Sequence, residues 1–541
     1  MKKAILLFGF ISSFAFGQTY TKTDTLKGSD TAYRNFWDVK KYKLSVEPNF
    51  QDKSLKGSNK IEFTITKDIS NPTFQIDLQE PMKVEKLTAN FPTVDGFKRD
   101  GDFIFVTAKK KFKKGEKYTF DIDYSGNPRI AKHAPWEGGW VFVEDEQGNP
   151  WITVAQEGDG TSLWLPSKDI WNDEPEDGII MKIITPTDLT GVGNGKLIGD
   201  HILVGDTDNK REWTWEVKNP INLYSLAPVI GKFAHFSEIY NGEKGKLDCD
   251  YYVLDYNLGK AKVQFQQAKS MLKSFEYWFG PYPFYEDGYK LVETPHLGME
   301  HQSNVAYGNH YLNGYLGRDL SGTGIGLEWD FIIIHESGHE WFANNITAKD
   351  QADMWIHESF TNYSETLYTE SLLGKEKAQK YVIGTRRGIK NDIPIIGKYG
   401  VRNEGSGDMY PKGGNMIHTI RTVINNDEKF RQILRGLNKD FYHQTVTTKQ
   451  IEDYISAKSG INFSKVFDQY LRTTQIPTLE YSQDGNTFKY RWTNTIDGFD
   501  LPIRINGTET ISPSKDWKTT TLKDSSEVKF DENYYVKYQK I

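Results

Sequence analysis

The chain has 541 residues, of which 37% are hydrophobic and 26% are charged, with a formal net charge of −6. This length predicts three or four domains, and the composition is typical of a soluble globular protein. Mild acidity without a basic run argues against a nucleic-acid partner. The single cysteine, Cys249, excludes an internal disulfide, and we interpret it as a buried structural residue.

The first seventeen residues have the pattern of a secretory signal peptide. Lys2 and Lys3 precede the apolar run AILLFGFISSFAF, and the small residues Ala15 and Gly17 precede Gln18. This run is too short to span a membrane, and no cysteine follows it to carry a lipid anchor. No later stretch approaches twenty apolar residues. We therefore predict cleavage near Gly17, export to a bacterial periplasm or beyond, and no membrane span.

Residues 18–236 are predicted to form an N-terminal β domain. Apolar and polar residues alternate over 42–46, 61–65 and 74–78, which is the period of half-buried strands. Turn-forming clusters such as KGSN at 56–59 separate these segments. Helical patterns are scarce here, so the domain is expected to be built from sheets.

From residue 237 to residue 474 the apolar periodicity becomes helical, and after residue 475 alternation returns. The architecture is therefore predicted to be α+β: an N-terminal β-sheet domain, a mainly helical domain over 237–474, and a small C-terminal β domain over 475–541. Helices are predicted over 258–279, 326–345, 356–373, 411–426, 428–437, 448–458 and 463–472.

The helix predicted over 326–345 contains the pattern H-E-x-x-H. His335 and His339 are four residues apart, so they lie on one helix face, roughly 6 Å apart along the axis. Two imidazoles placed in this way can bind one metal ion, with Glu336 beside them to act on a water molecule that the metal activates. The alternative explanation is a chance match, in which two core histidines flank a carboxylate.

A catalytic zinc site needs three protein ligands and one open position. The next predicted helix offers His357 and Glu358, and Glu358 falls nineteen positions after His339. Neighbouring helical residues point about 100° apart, so only one of the two can bind the metal. We favour Glu358 because of the sequence that surrounds it.

That surrounding sequence resembles the aminopeptidase N family of zinc metallopeptidases, which also includes the leukotriene hydrolases. The segments HEWFANN and WIHESFTNY contain the metal motifs, and LGMEH at 297–301 resembles the family's G-x-M-E-N exopeptidase motif. YPKGG at 410–414 resembles its Y-x-K-G segment, and a looser likeness covers 156–169. The resemblance covers most of the chain after the signal peptide. It implies a saddle-like N-terminal sheet domain followed by a thermolysin-like catalytic domain.

The resemblance assigns the catalytic centre residue by residue. It implies that His335, His339 and Glu358 bind one zinc ion and that Glu336 is the general base. It also implies that the hydroxyl of Tyr410 stabilises the oxyanion that forms when the scissile carbonyl is attacked.

The resemblance also assigns the substrate-binding residues. Gly298, Met299 and Glu300 are expected to contact the peptide, and the Glu300 carboxylate would bind its free α-ammonium by charge-assisted hydrogen bonds. A second residue is expected to help hold the amine. We prefer Gln156 for this role, with Glu157 as the second choice.

Two residues, Leu297 and His301, depart from the Gly and Asn of the family motif, so the shape of the amine pocket is expected to differ. The long helical domain that ends many family members has no predicted counterpart in 475–541. We expect an exported zinc aminopeptidase acting on peptides with a free N-terminus. The alternatives are a metallo-endopeptidase, against which Glu300 argues, and a non-catalytic peptide-binding member of the fold, against which the intact ligands and base argue. Epoxide hydrolysis has no support in the sequence.

Overall fold

The computed structural model describes residues 19–203 and 209–541. The predicted signal peptide, residues 1–17, lies outside the described residues. Across the described ranges, no helix is both long and apolar enough to cross a membrane.

A seven-stranded sheet forms most of the N-terminal part. Its neighbouring strands are antiparallel except for Trp37–Asn49 and Ile179–Pro186, which run parallel. Apolar side chains at alternate positions enter one core, as the period-two pattern predicts. In spatial order the strands are Lys196–Ile202, Lys210–Val217, Ile179–Pro186, Trp37–Asn49, Ser54–Ile65, Lys117–Gly126 and Lys83–Ala89.

Three smaller sheets complete this part. The largest of them contains the strand Pro150–Ala155, which ends directly before residues 156 and 157. The strands, in spatial order within each sheet, are Gly139–Glu144, Pro150–Ala155, Val229–Gly231 and Thr190–Val192; then Thr73–Asp77, Phe103–Thr107 and Lys98–Asp100; then Ile69–Ser70 and Lys111–Phe112.

The middle part combines helices with a five-stranded sheet. The predicted boundary at residue 236 falls inside the first strand of this sheet, Phe233–Gly242. The strands are Phe233–Gly242, Gly245–Leu254, Tyr289–Glu293, Val305–Tyr307 and Gly298–Met299, with a separate pair of Ile346–Ala348 and Gln444–Val446. The helices, including one before the first sheet, are α1 Lys22–Gly28, α2 Leu258–Gln264, α3 Gln266–Phe279, α4 Phe331–Gly338, α5 Trp355–Leu373, α6 Lys375–Thr385, α7 Pro411–Ile424, α8 Asp427–Asp440, α9 Thr448–Ser459 and α10 Ser464–Arg472.

The helix predicted over 326–345 is shorter in the structure, where it is α4. It begins five residues later because the carboxylate of Asp330 caps it, accepting hydrogen bonds from two backbone N–H groups of the first turn. It ends at Gly338, and the segment after it is irregular because Phe342 and Ala343 leave helical geometry. Ala343 has φ of 146°, a strained value for any residue except glycine.

The other predicted helices appear within a few residues of their expected bounds. The helix predicted over 258–279 is divided at Phe265 into α2 and α3, whereas α1 and α6 were not predicted. The apolar faces of α2 to α10 form one large core, which also receives side chains from the C-terminal strands.

The C-terminal part is a small β structure that packs on α7 and α10. The hydroxyl of Tyr470 in α10 donates to the carbonyl of Tyr535 at 2.6 Å, and Arg504 donates to the carbonyl of Thr422 in α7 at 2.9 Å. Its strands are Lys518–Thr521, Thr487–Thr493, Thr478–Asp484 and Lys537–Lys540 in one sheet, with Ile503–Ile505 and Glu509–Ile511 in a second. The predicted α+β architecture is confirmed.

Candidate active site

Helices α4 and α5 bring the three predicted metal ligands together. Nε2 of His335 lies 3.6 Å from Oε2 of Glu358, and Nε2 of His339 lies 3.5 Å from the same oxygen. In a tetrahedral zinc site with bonds of about 2.1 Å, ligand atoms lie roughly 3.4 Å apart. All three side chains are buried, so the surrounding core fixes their positions.

The donor set fits a bound cation. Oε2 of Glu358 is buried, and no residue of the described part of the chain donates a hydrogen bond to it. Burial lowers the pKa of His335, but interactions with the carboxylates of Glu358 and Glu365 outweigh burial and hold this pKa well above its ordinary value. A site that demands positive charge and offers two imidazoles and one carboxylate has the chemistry of a catalytic zinc centre.

Each histidine is oriented by a hydrogen bond on its other nitrogen. Nδ1 of His335 lies 2.8 Å from Oε1 of Glu365, whose second oxygen accepts the hydroxyl proton of Tyr381 at 2.6 Å. Nδ1 of His339 donates to the carbonyl of Phe342 at 3.1 Å. These bonds leave both Nε2 atoms free to face Glu358.

Sequence reasoning did not identify Glu365. Its spacing could have identified it. Glu365 follows Glu358 by seven residues, or two helical turns, and therefore lies on the same face of α5. The contact of His339 with the Phe342 carbonyl carried no such signal, since it depends on the break in the helix after α4.

Replacing Glu365 with glutamine is expected to weaken zinc binding roughly 10–100-fold, because the charge that orients His335 is lost. Competition with a chelator would measure the dissociation constant. Glu370→Gln is the matched control, because Glu370 lies on the same helix and instead pairs with Arg421. Equal zinc affinity in the two variants would contradict the orienting role.

The rival ligand His357 faces away from the centre. Its Nε2 accepts a hydrogen bond from the backbone N–H of Ala348 at 2.8 Å. Its ring stacks on Trp171, with 5.2 Å between the ring centroids. Of the two neighbouring candidates, the structure therefore places Glu358 with the histidines.

Glu336 lies in the cleft beside the metal ligands. Burial, partly opposed by His335 and reinforced by Glu300, raises its pKa to about 8. Gly298 lies directly against it, and a Cβ added at that glycine would stand 2.7 Å from Oε1 of Glu336. Gly298 thus leaves room for the carboxylate of Glu336, the predicted general base.

Gly298→Ala is expected to lower kcat/KM on the order of 100-fold, because the added methyl group displaces Glu336 by a fraction of an ångström or more. Zinc content should stay at one ion per chain. Gly259→Ala is the control, since a Cβ at that helical glycine meets nothing within 4 Å. Steady-state kinetics that leave the Gly298 variant as active as the control would show that Glu336 tolerates the methyl group.

Tyr410 stands at the start of α7 with its ring facing the centre. Its ring centroid lies 5.9 Å from that of His335, and its side chain lines the cleft. Burial, followed by repulsion from Glu358 and Glu157, raises its pKa well above the ordinary value. The phenol therefore stays protonated and can donate a hydrogen bond.

Three carboxylates converge next to the metal ligands. One oxygen each from Glu157, Glu300 and Glu358 lies within 4.8 Å of the others. Burial, with repulsion from Glu300 and Glu358, raises the pKa of Glu157 well above its ordinary value. Oε1 of Glu157 and Oε1 of Glu300 are buried, and among residues 19–203 and 209–541 neither finds a hydrogen-bond donor. This cluster therefore favours a bound ammonium group, which would supply both the charge and the donors.

The prediction for Gln156 needs correction, because this residue does not line the cleft. Its Nε2 donates to three backbone carbonyls within 223–226, and its Oε1 accepts from the indole of Trp164 at 2.8 Å. Neighbouring side chains point to opposite sides as the chain leaves the strand Pro150–Ala155. Glu157, the second choice, therefore faces the cleft, whereas the side chain of Gln156 is buried inside the N-terminal part.

The two departures from the family motif lie in different places. Leu297 lines the cleft together with Met299. His301 is fully buried and does not line it, and neither ring nitrogen has a hydrogen-bond partner in the described part of the chain. The Leu297 departure thus alters the cleft wall directly, whereas His301 lies behind it.

The cleft that contains these groups has a volume of about 410 Å³. Its wall is mixed, with carboxylates around the metal ligands and apolar side chains beyond them. The apolar residues include Trp136, Leu297, Met299, Tyr315, Leu320 and Phe331.

Comparison with known proteins matches the middle of the chain to one family. Residues 263–470 match the peptidase family M1 domain. The chain is 22% identical over 298 residues to the tricorn protease-interacting factor F2 of Thermoplasma volcanium, covering 52% of this chain and 37% of that protein. It is 22% identical over 321 residues to aminopeptidase N of Escherichia coli, covering 55% and 35%. The matched regions thus span about a third to a half of these curated relatives.

Solved structures show the same fold. An M1 zinc metallopeptidase from Deinococcus radiodurans is 19% identical, covers 83% of this chain and 96% of its own, and has a TM-score of 0.68. A mutant of the Deinococcus protein bound to a Tyr-Ser-Ala substrate gives the same values. At this identity the likeness concerns the fold, and it agrees with the N-terminal sheet part and helical part described above.

Proposed function

We propose that this protein, whose residues 263–470 match the peptidase family M1 domain, is a zinc-dependent aminopeptidase that removes the N-terminal residue of peptides. The observation that carries this proposal is the adjacency of two sites. A complete ligand set of two histidines and one glutamate lies directly beside Glu157 and Glu300, each of which has one buried oxygen without a hydrogen-bond donor in the described chain.

The chain's own residues have distinct roles in the reaction. A bound zinc ion would supply Lewis acidity, lowering the pKa of water and polarising the scissile carbonyl. Glu336 takes a proton from the attacking water and gives it to the leaving amine, a role that fits its position in the cleft beside His335 and against Gly298. Tyr410 donates a hydrogen bond to the developing oxyanion.

Glu157 and Glu300 account for the preference for a free N-terminus. An α-ammonium between them relieves the repulsion between the carboxylates and donates to their unsatisfied oxygens. A blocked or internal peptide bond brings no charge, so it leaves Glu157 and Glu300 without the cation that offsets the repulsion between them. Such a penalty typically costs a few kcal/mol, which favours exopeptidase over endopeptidase cleavage.

The test uses a panel of amino-acyl anilides, each supplied with a free and with an N-acetylated amine. We expect rapid hydrolysis of the free-amine compounds alone, and the relative rates would identify the preferred first residue. Equal cleavage of the acetylated compounds would refute the role of Glu157 and Glu300 and would indicate an endopeptidase. Absence of cleavage with zinc bound would refute catalysis.

We also propose that the protein is exported, on the strength of the signal-peptide pattern in residues 1–17. Sequencing the N-terminus of protein recovered from the periplasm or medium of a bacterial host should give Gln18 as the first residue. Recovery of the full chain from the cytoplasm, still beginning at Met1, would contradict export.

A further inference from the structure

The carboxylate of Glu157 is carried by a short loop, residues 156–160. The backbone N–H of Gly160 donates to the carbonyl of Gln156 at 2.6 Å, which closes the loop into a single turn. At its first end the loop is fixed by the buried amide of Gln156. The orientation of Glu157 therefore depends on what holds the other end.

The guanidinium of Arg402 holds that other end. It donates to the carbonyl of Asp159, and its Nη2 donates to Oδ2 of Asp169 at 2.8 Å. Gly160 has φ of 84°, and a Cβ there would stand 2.4 Å and 2.5 Å from the two terminal nitrogens of Arg402. The loop thus rests directly on the guanidinium, with no room for a side chain between them.

The environment of Arg402 makes this contact strong. Its side chain is 15% exposed, and that of Asp169 is 3% exposed. Oδ2 of Asp169 also accepts hydrogen bonds from the hydroxyl of Ser162 at 2.5 Å and from its backbone N–H at 3.2 Å. A shielded, charge-assisted hydrogen-bond network of this kind has a single low-energy arrangement.

Arg402 belongs to a segment that is fixed to the helical part of the molecule. The backbone N–H of Gly400 donates to Oδ2 of Asp350 at 2.8 Å, and the hydroxyl of Tyr399 donates to Oδ1 of Asp353 at 2.5 Å. Both aspartates directly precede α5, the helix that carries the third metal ligand. Arg402 therefore connects the loop of the N-terminal part to the frame of the metal site.

Other contacts also hold this loop. Nε2 of Gln79, in the N-terminal part, donates to the same carbonyl of Asp159 at 2.7 Å, so Arg402 is the contact that reaches this carbonyl from the helical part. Nε2 of Gln351 donates to the carbonyls of Glu157 and Gly158, but both distances are 3.4 Å. The carboxylate of Asp159 pairs with Arg129, which belongs to the N-terminal part itself. Oε1 of Glu157 has no donor in the described ranges, so the backbone decides where this carboxylate lies.

We propose that Arg402 is a positioning residue for recognition of the substrate's free α-ammonium. It sets the position of Glu157 relative to Glu300 and Glu358 across the junction between the N-terminal and helical parts. The inference rests on the proposed function in one respect, because it presupposes that Glu157 binds the amine. Arg402 is not among the residues that line the cleft, so it acts through the loop that carries Glu157.

The test measures binding without turnover, in protein that carries Glu336→Gln and one bound zinc ion. Isothermal titration would compare the peptide Leu-Gly-Gly with N-acetyl-Leu-Gly-Gly, with and without Arg402→Gln. We expect Arg402→Gln to raise the Kd of the free-amine peptide about tenfold and to leave that of the acetylated peptide unchanged. Arg402→Lys should restore part of the affinity, since it keeps the charge but not the paired donors.

The matched control is Arg421→Gln. Arg421 is more shielded than Arg402, at 5% exposure, and binds both oxygens of Glu370 away from the amine site. This variant should lower the melting temperature without changing the ratio of the two Kd values. An unchanged ratio in Arg402→Gln, or the same change of ratio in both arginine variants, would overturn the proposal.

The anilide panel separates this result from the wider proposal. If the unmodified protein cleaves free-amine anilides selectively but Arg402→Gln keeps the Kd ratio, the function stands and the positioning role fails. The opposite outcome is that the unmodified protein cleaves no anilide at all while Arg402→Gln lowers the affinity for the free-amine peptide alone. In that case the positioning role stands and the catalytic proposal fails.

Discussion

Replacing Glu336 with glutamine is expected to lower kcat by roughly 10²–10⁴-fold, the range that a positioned general base and acid contributes. Glutamine has the same shape and fits beside Gly298, but it can neither accept the proton of water nor pass one to the leaving amine. Glu336 lines the cleft next to His335, so its carboxylate stands where the proton has to be taken up and returned. Steady-state kinetics on a free-amine anilide would measure the loss.

The same variant should keep one zinc ion and a melting temperature close to that of the unmodified protein. Metal analysis and calorimetry provide these controls, because a variant that lost zinc would lose activity for a different reason. If Glu336→Gln retained more than about a tenth of the activity with zinc bound, another group would have to be the base.

Replacing Glu358 with glutamine is expected to remove zinc and activity together. The neutral amide cannot supply the anionic oxygen that both histidines face at 3.5–3.6 Å. The loss of zinc affinity should exceed the roughly 100-fold effect of losing an outer hydrogen-bond partner. Chelator competition would measure the affinity, and activity should track the fraction of zinc-loaded protein.

His357→Gln is the control for this second prediction because it alters the adjacent residue on the same helix. The ring of His357 caps the N–H of Ala348 and stacks on Trp171, so the variant should be less stable but should bind zinc normally. Zinc loss in this variant combined with zinc retention in Glu358→Gln would reverse the choice of ligand.

The sequence was most informative where spacing alone determines geometry. Four residues on a helix bring His335 and His339 to one face whatever surrounds them, and seven residues bring Glu365 beneath Glu358. The break at Phe342 and Ala343 has no comparable signal, because its strained backbone is imposed by tertiary contacts. The sequence therefore predicted where the metal site lies but not how His339 is oriented.

The amine site shows why the remainder could not be predicted. Whether Gln156 or Glu157 faces the cleft depends on the phase of the strand before them, and a shift of one residue exchanges the two sides. Arg402 contacts Asp169 across 233 positions of the chain, in a loop without periodicity. Residues that act through such long-range contacts become visible only in the folded structure.

The C-terminal strands share one apolar core with the helical part, whereas the N-terminal sheets have a core of their own. Three segments that differ in secondary structure are therefore expected to unfold as two cooperative units. Trp492 and Tyr490 of the last part belong to the same buried cluster as Phe467 and Tyr470 of α10. Residues 475–541 expressed alone would lack the part of their core that the helices supply, and heating should melt them together with the metal site rather than as an independent module.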